Sequence, residues 1–286
     1  MKNLIQLVIV FILAIGFTAK AQETAPKLEK TLLWEVSGNG LEKPSYLYGT
    51  IHMICSPDYF LSEKTKKAFE ASNKLVLEIN FADPNETLDM QKMAMGKEPL
   101  SKKLSSEQLA SLDAILKKRT GMSVQQVDNF SLMSIMSLIS MKSFGCSDMK
   151  FYEMEFIEMA KKKNIEVGGL ETVKFQFAMF EGAYTNDEMI TLLQESNGEE
   201  AIKLIAEYKV ENLNGLYDIV TDKKVTSEKT KKQILDNRNL NWVKIMPELM
   251  KKESVFFAVG SAHLGGEYGV INLLRKAGYS VKPVLN

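Results

Sequence analysis

The chain has 286 residues, 45% of them hydrophobic and 25% charged, with Lys+Arg and Asp+Glu both at 36 and a formal net charge of zero. That composition excludes a disordered or fibrous chain, and the even charge balance argues against a nucleic-acid binder, which carries a basic excess. The length suffices for one large domain, or for one domain carrying an insertion.

In chain order, residues 1–21 read as a signal peptide. Lys2 begins it, Leu4 to Phe17 is apolar, and Ala19-Lys20-Ala21 has the small-x-small pattern of a cleavage site. The apolar run is about 14 residues, short of the roughly 20 that cross a bilayer as a helix. The expectation is an exported protein, periplasmic or secreted, whose residues 22–286 form a single domain with no transmembrane segment after cleavage. Cys55 and Cys146 are the only two cysteines. In an oxidising compartment an even pair is expected as a disulfide. The loop would be about 90 residues long, worth roughly 4 kcal/mol in the chain-entropy model. The other reading pairs Cys55 with His52 as a His-x-x-Cys metal site, which the oxidation-prone thiolate disfavours.

Leu32 to Val36 and Ser45 to Ile51 read as strands, Pro57 to Ser72 as a short helix, and Lys74 to Ile79 as a third strand, a βαβ-sized unit. Residues 85–163 form a helical insertion in which Lys102 to Lys118 and Phe130 to Met141 have helical spacing. Ten of the 16 methionines fall between Met90 and Met159, as expected of an irregular helical core or of a groove for peptide or lipid. Ile165 to Leu170 is a further strand. A helical stretch from Val173 to about Met250 is broken near Thr185, Gly198 and Thr221–Ser227. Ser254 to Val259 is an apolar strand, 266–278 a helix, and Tyr279 to Leu285 a closing edge strand containing Pro283. The fold class is α/β (α+β). The two ends echo each other, which points to a duplicated β-α-β core sheet with the helical region between its halves.

The chain has only two histidines, and both sit in the same setting: Gly49-Thr50-Ile51-His52 and Gly260-Ser261-Ala262-His263 each follow an apolar strand. With 17 glycines in 286 positions, two such coincidences are rare. Gly49 and Gly260 permit a tight turn or a close backbone approach. The imidazoles then stand at carboxyl ends of strands, where open α/β sheets bind ligands, as metal ligands or general bases. Glu78 lies within the apolar strand LVLEI, where a carboxylate needs a partner or a cation. Glu171 ends another strand. Arg238 suits an oxyanion or a carboxylate, and Asn239 offers a carbonyl oxygen. Tyr48 and Glu35 are strand residues suited to the core or to support of a site.

Tyr46 to His52, Leu77-Glu78-Ile79, Gly169-Leu170-Glu171-Thr172, Arg238 to Trp242 and Ala258 to Gly266 together resemble the TraB/GumN family, which is related to the Tiki membrane metalloproteases. The resemblance implies one cleft faced by both Gly-x-x-His motifs, an acidic residue and the Arg/Asn pair. His52, His263 and Glu78 would be metal ligands. Glu78, Glu171, Arg238 and Asn239 would take catalytic roles. The C-terminal membrane anchor of the Tiki branch is not expected here.

The expected function is an exported metal-dependent hydrolase, peptidase-like, with a peptide or protein substrate and Mn²⁺, Zn²⁺ or Co²⁺ as cofactor. Two imidazoles make a weaker site than three, which favours Mn²⁺ or a loosely held ion. The alternative is a non-catalytic envelope protein that captures a peptide, metal or metal-chelate in the same cleft.

Overall fold

The computed structural model describes residues 27–196, 198–224 and 226–285. The signal peptide expected over 1–21 lies outside them. Eight strands form two sheets: β1 (Leu33–Ser37), β2 (Ser45–Thr50), β3 (Met53–Cys55), β4 (Lys74–Ile79), β5 (Met149–Phe151), β6 (Glu166–Glu171), β7 (Val255–Gly260) and β8 (Ser280–Pro283). The main sheet has the order β6-β4-β7-β2-β1-β8. Its first four strands run parallel, while β1 is antiparallel to both β2 and β8. The fold is therefore mixed α/β.

β7 is buried at every position, which explains its unbroken apolar sequence VFFAVG: it is central and covered on both faces. Pro283 sits in β8, at the sheet edge, where a missing N–H costs no ladder bond. Register aligns the strand ends. Thr50 lies opposite Gly260 and Ile79 opposite Glu171, so the carboxyl ends of β2, β7, β4 and β6 form one rim.

The expected duplication does not appear in the strand order. β2 leads through helix Glu63–Ala71 to β4, two places away across β7. β7 leads through helix Val270–Lys276 to β8, three places away on the other side, with antiparallel β1 intervening. The halves share a strand–helix–strand order but not its placement.

An aromatic cluster packs helices on the sheet. Tyr48 and Phe156 rings stand 5.5 Å apart, Phe156 and Phe256 5.2 Å, and Phe69 and Phe256 5.3 Å, within the range of favourable ring contacts. Tyr152, Phe156, Ile157 and Ala160 are buried in this core. Helix Tyr152–Lys163 thus belongs to the sheet layer and not to the helical insertion expected over 85–163. A second core instead joins helices Ser106–Thr120 and Leu132–Ser143 to helix Asn186–Glu195, through Leu112, Leu116, Ile135, Ile139, Ile190 and Leu193. The reason is periodicity: buried positions 152, 156 and 160 recur every fourth residue and form one apolar face directed at the sheet. Met122 and Met136 pack on this second core, and Met90, Met93 and Met133 pack around Ile79, Val173 and Phe177. These methionines fill core gaps. No helix among the described residues is long and apolar enough to cross a membrane.

β3 and β5 form a separate two-stranded antiparallel ribbon in which Met53 pairs with Phe151 and Cys55 with Met149. Cys55 and Cys146 form a disulfide across a sequence separation of 91. Reduction is expected to lower stability by about 2–4 kcal/mol, read as a lower urea midpoint in the presence of reductant. An unchanged midpoint would show that the crosslink contributes nothing to stability.

Candidate functional site

The rim formed by β2, β4, β6 and β7 gathers nearly all the residues singled out in the sequence. At its centre is Arg238, on helix Asn237–Met250, entered through a π-helical turn at Lys232–Asp236. Such turns recur at functional sites. Arg238 is buried, and every one of its N–H groups is engaged. Nε donates to both oxygens of Glu171 at 3.1 and 3.0 Å, and Nη2 donates to Glu171 at 2.8 Å and to Glu78 at 2.5 Å. Nη1 donates to the Ile234 carbonyl and to His263 Nε2, each at 3.0 Å. A guanidinium has five N–H donors, so none is left for a substrate oxyanion in this arrangement. The role open to Arg238 here is to bind two carboxylates and one imidazole to each other.

Burial by itself raises the pKa of Glu78. Arg238 foremost, with His52 and the Gly260 N–H at 2.7 Å, holds it instead well below the usual carboxylate range. An acid that weak as a base moves protons poorly. Glu78 is a fixed negative charge, with Oε2 also accepting from Gln176 at 3.1 Å. Glu171, likewise bound to Arg238 and to Gln176, is closed off from outside partners.

His263 is equally committed. Its Nδ1 donates to Asn239 Oδ1 at 2.6 Å, leaving Nε2 to accept from Arg238. This assigns the neutral Nδ1–H tautomer. Burial and the adjacent Arg238 charge lower its pKa to about 3. The ring also lies against Trp242, centroid to centroid 4.3 Å. Asn239 spends its amide on the carbonyls of His263 and Tyr268. Asn239 is therefore the clamp that fixes the His263 loop.

His52 differs in every respect. Its side chain is 57% exposed, and its backbone takes the left-handed region at φ 61°, unusual for a residue other than glycine. Met53 N–H donates to the Ile51 carbonyl at 2.7 Å, so His52 is the central residue of a tight three-residue turn. Strain of this kind concentrates at functional sites. Nδ1 bonds Glu153 Oε1 at 2.8 Å, an oxygen that also accepts from Thr50 Oγ1 at 2.9 Å. Desolvation lowers the ring's pKa, but the charge and hydrogen bond of Glu153, assisted by Glu78, raise it to about 9. Solvent reaching the exposed ring screens part of that attraction.

The two motif glycines have separate reasons. A Cβ on Gly49 would meet the Ser261 backbone at 3.1 Å, so this glycine lets the second motif pass close to the first. A Cβ on Gly260 would stand 3.1 Å from Glu78 Oε1, 3.3 Å from His52 Nε2 and 3.6 Å from His263 Cδ2. Both imidazoles and the Glu78 carboxylate therefore surround one small space, kept open because residue 260 has no side chain. Tyr48 lies behind it, fully buried, its hydroxyl 3.1 Å from that of Tyr208, while Glu35 pairs with Tyr46 and Lys282 in β1, away from the rim.

Two atoms offer a lone pair to a cation, His52 Nε2 when its ring is neutral and Glu78 Oε1, and both face the Gly260 space. His263 does not in this arrangement, because both its ring nitrogens are taken. Among the described residues no group of three or more His, Cys, Asp or Glu converges as a ready ligand set. The two donors fit a weakly held ion that keeps most of its waters. Cys55, in its disulfide, takes no part.

Glu153 and Gln176 escape the sequence reading. Glu153 lies in YEMEFIE, whose repeated acids at a helix start read as a solvated, dipole-favoured turn. A usable clue existed, since a Cys55–Cys146 bond places the chain shortly before Glu153 beside the chain shortly after His52. Gln176 has no local mark. A cavity of about 410 Å³ lined by Phe130, Glu181, Tyr184 and Met189 includes none of these site residues.

A comparison with curated proteins finds no match to the chain. Residues 32–283, which span the sheet, both Gly-x-x-His motifs and the Arg238 cluster, match the model of the TraB/PrgY/gumN family, and the chain belongs to that family.

Proposed function

We propose that the protein is a metal-dependent hydrolase, peptidase-like, working at the rim where β2, β4 and β7 end. The observation that carries this reading is the meeting of His52 Nε2 and Glu78 Oε1 beside Gly260, within 3.3 Å of one point. Family membership supports an enzyme in a general sense, and the resemblance to Tiki proteins motivates the peptide substrate.

His52 and Glu78 would hold the ion, with Mn²⁺ preferred over Zn²⁺ or Co²⁺ because so few protein ligands are offered. A divalent cation supplies Lewis acidity toward a carbonyl and lowers the pKa of water. The remaining work falls to this chain's own groups. Glu78 keeps its charge at any physiological pH and so attracts a cation. Arg238, Glu171, Gln176, Asn239 and His263 form a rigid frame that holds Glu78 in place. His52 is the one ring with an exposed edge, and with Nδ1 held by Glu153 it can offer Nε2 to the ion only when the ring is neutral. Its raised pKa makes a neutral ring scarcer at pH 7 than at pH 9, so activity should climb through that interval. The apolar 4–17 segment and the disulfide support action outside the cytoplasm, after removal of residues 1–21.

The test is peptide hydrolysis with added Mn²⁺, together with metal analysis of protein purified without chelator. His52→Ala removes one of the two protein ligands and is expected to lower kcat by at least the roughly 10–100-fold typical for loss of a ligand's supporting partner. Cleavage that persists in His52→Ala would overturn the mechanism. Bound metal without turnover would favour the capture protein instead.

A further inference from the structure

We infer that Glu153 is the positioning residue of His52, held in place by the disulfide-fastened β3–β5 ribbon; this rests on the role assigned above to His52. Glu153 is 101 positions from His52 in the chain, yet its carboxylate is the only group bonded to the His52 ring among the described residues. No other hydrogen bond among the described residues holds that ring. His263 is gripped at both nitrogens and lies against Trp242, whereas His52 stands on a strained turn with most of its side chain in solvent. An imidazole so exposed explores several rotamers unless one nitrogen is anchored, and the anchored one directs Nε2 toward Glu78 and Gly260. A carboxylate on the outer nitrogen is the usual solution where an imidazole must present the other nitrogen to a ligand.

The ribbon delivers that carboxylate. His52 immediately precedes β3, and Glu153 follows β5 by two residues. Met53 pairs with Phe151, and Tyr152 N–H donates to the His52 carbonyl at 2.9 Å, so the turn and the helix start are tied directly. Cys55 and Cys146 close the far end of the same ribbon. Glu153 Oε1 is in turn fixed by Thr50 Oγ1, on the strand that carries the first motif. The carboxylate, with only 12% of its side chain exposed, is held by both bonds.

Two histidines make the test direct, because ¹⁵N-histidine labelling produces signals from His52 and His263 alone. The full chain is expected to show two hydrogen-bonded Nδ1–H protons, one to Glu153 and one to Asn239, assigned by their loss in His52→Ala and His263→Ala. In Glu153→Leu the His52 proton should vanish while the His263 proton persists, the latter showing that the site has folded. Glu153→Gln retains an acceptor and should restore the proton. In the hydrolysis assay Glu153→Leu should lower kcat about 10–100-fold with KM within about twofold, and Glu153→Gln should recover most of the loss. A His52 Nδ1–H signal unchanged in Glu153→Leu overturns the inference. So does kcat unchanged in Glu153→Leu while His52→Ala is inactive. If wild-type protein hydrolyses nothing, the functional reading fails, and the proton signals alone still decide the placement of His52.

Discussion

Arg238→Met is expected to destabilise the protein by about 3–5 kcal/mol, the loss typical when one partner of a buried ion pair is removed. The reason is the company Arg238 keeps. Glu78 and Glu171 have side chains only 10% and 5% exposed, and both depend on this one cation. Removing it leaves two like charges close together in a medium that solvates neither, and at least one must take up a proton. Arg238→Lys should recover only part of the loss. An ammonium offers three donors from a point, whereas the guanidinium here uses a fork to reach Glu171, Glu78, Ile234 and His263 together. Urea unfolding of wild type, Arg238→Met and Arg238→Lys measures this. A cost below about 1 kcal/mol for Arg238→Met would mean that the carboxylates do not depend on it.

Acid is expected to unfold the protein through His263. Its folded pKa of about 3 lies below the 6.5 of an unfolded histidine. Between those values the unfolded chain binds a proton that the folded chain refuses, so stability is full above pH 6.5 and falls as pH drops. The slope is about 1.4 kcal/mol per pH unit, or about 3 kcal/mol by pH 4. Glu78 adds a loss of the same sign at lower pH, since its folded pKa is depressed and its contribution is present only above the unfolded carboxylate value. His52 works the other way: its raised pKa stabilises the fold below 6.5, and that contribution disappears as pH rises through about 9. The exposure of the ring keeps that contribution small. Melting temperature measured from pH 7.5 to 4 should fall steeply in wild type and much less in His263→Gln, whose side chain does not titrate. Equal slopes in the two proteins would rule out His263 as the acid trigger.

Both predictions concern the frame of the site, and they separate two jobs that the residue list alone runs together. Glu78, Glu171, Arg238, Asn239 and His263 satisfy one another almost completely, with a cation neutralised by carboxylates and each ring nitrogen of His263 engaged. Such a network specifies one geometry at the cost of reactivity, because a group whose hydrogen bonds are all made has little to offer a ligand. His52 Nε2 and the Oε1 side of Glu78 are what remains directed into the open space at Gly260.

Much of this was legible in the chain. The strand over Lys74–Ile79 agrees with expectation at both ends, because five consecutive buried positions demand a continuous apolar run. The flanks of β2 and β7 were marked by the two Gly-x-x-His sequences, and an oxidisable cysteine pair in a chain with an export-like leader indicated the disulfide. The ribbon β3–β5 was not legible: three-residue strands MIC and MKF have no period long enough to register. Nor was the membership of the second core, since helix Asn186–Glu195 joins residues 100–143 through apolar contacts that no local pattern announces.

The sequence by itself marked most of the residues that meet at the rim and the strand ends that carry the two histidine motifs, because burial periodicity and the rarity of histidine are properties of local order along the chain. The division of labour was decided only by tertiary structure. Whether an arginine has a donor to spare, or an imidazole a free nitrogen, depends on partners dozens to more than a hundred residues away, and hydrogen-bond capacity is exhausted in space rather than in sequence.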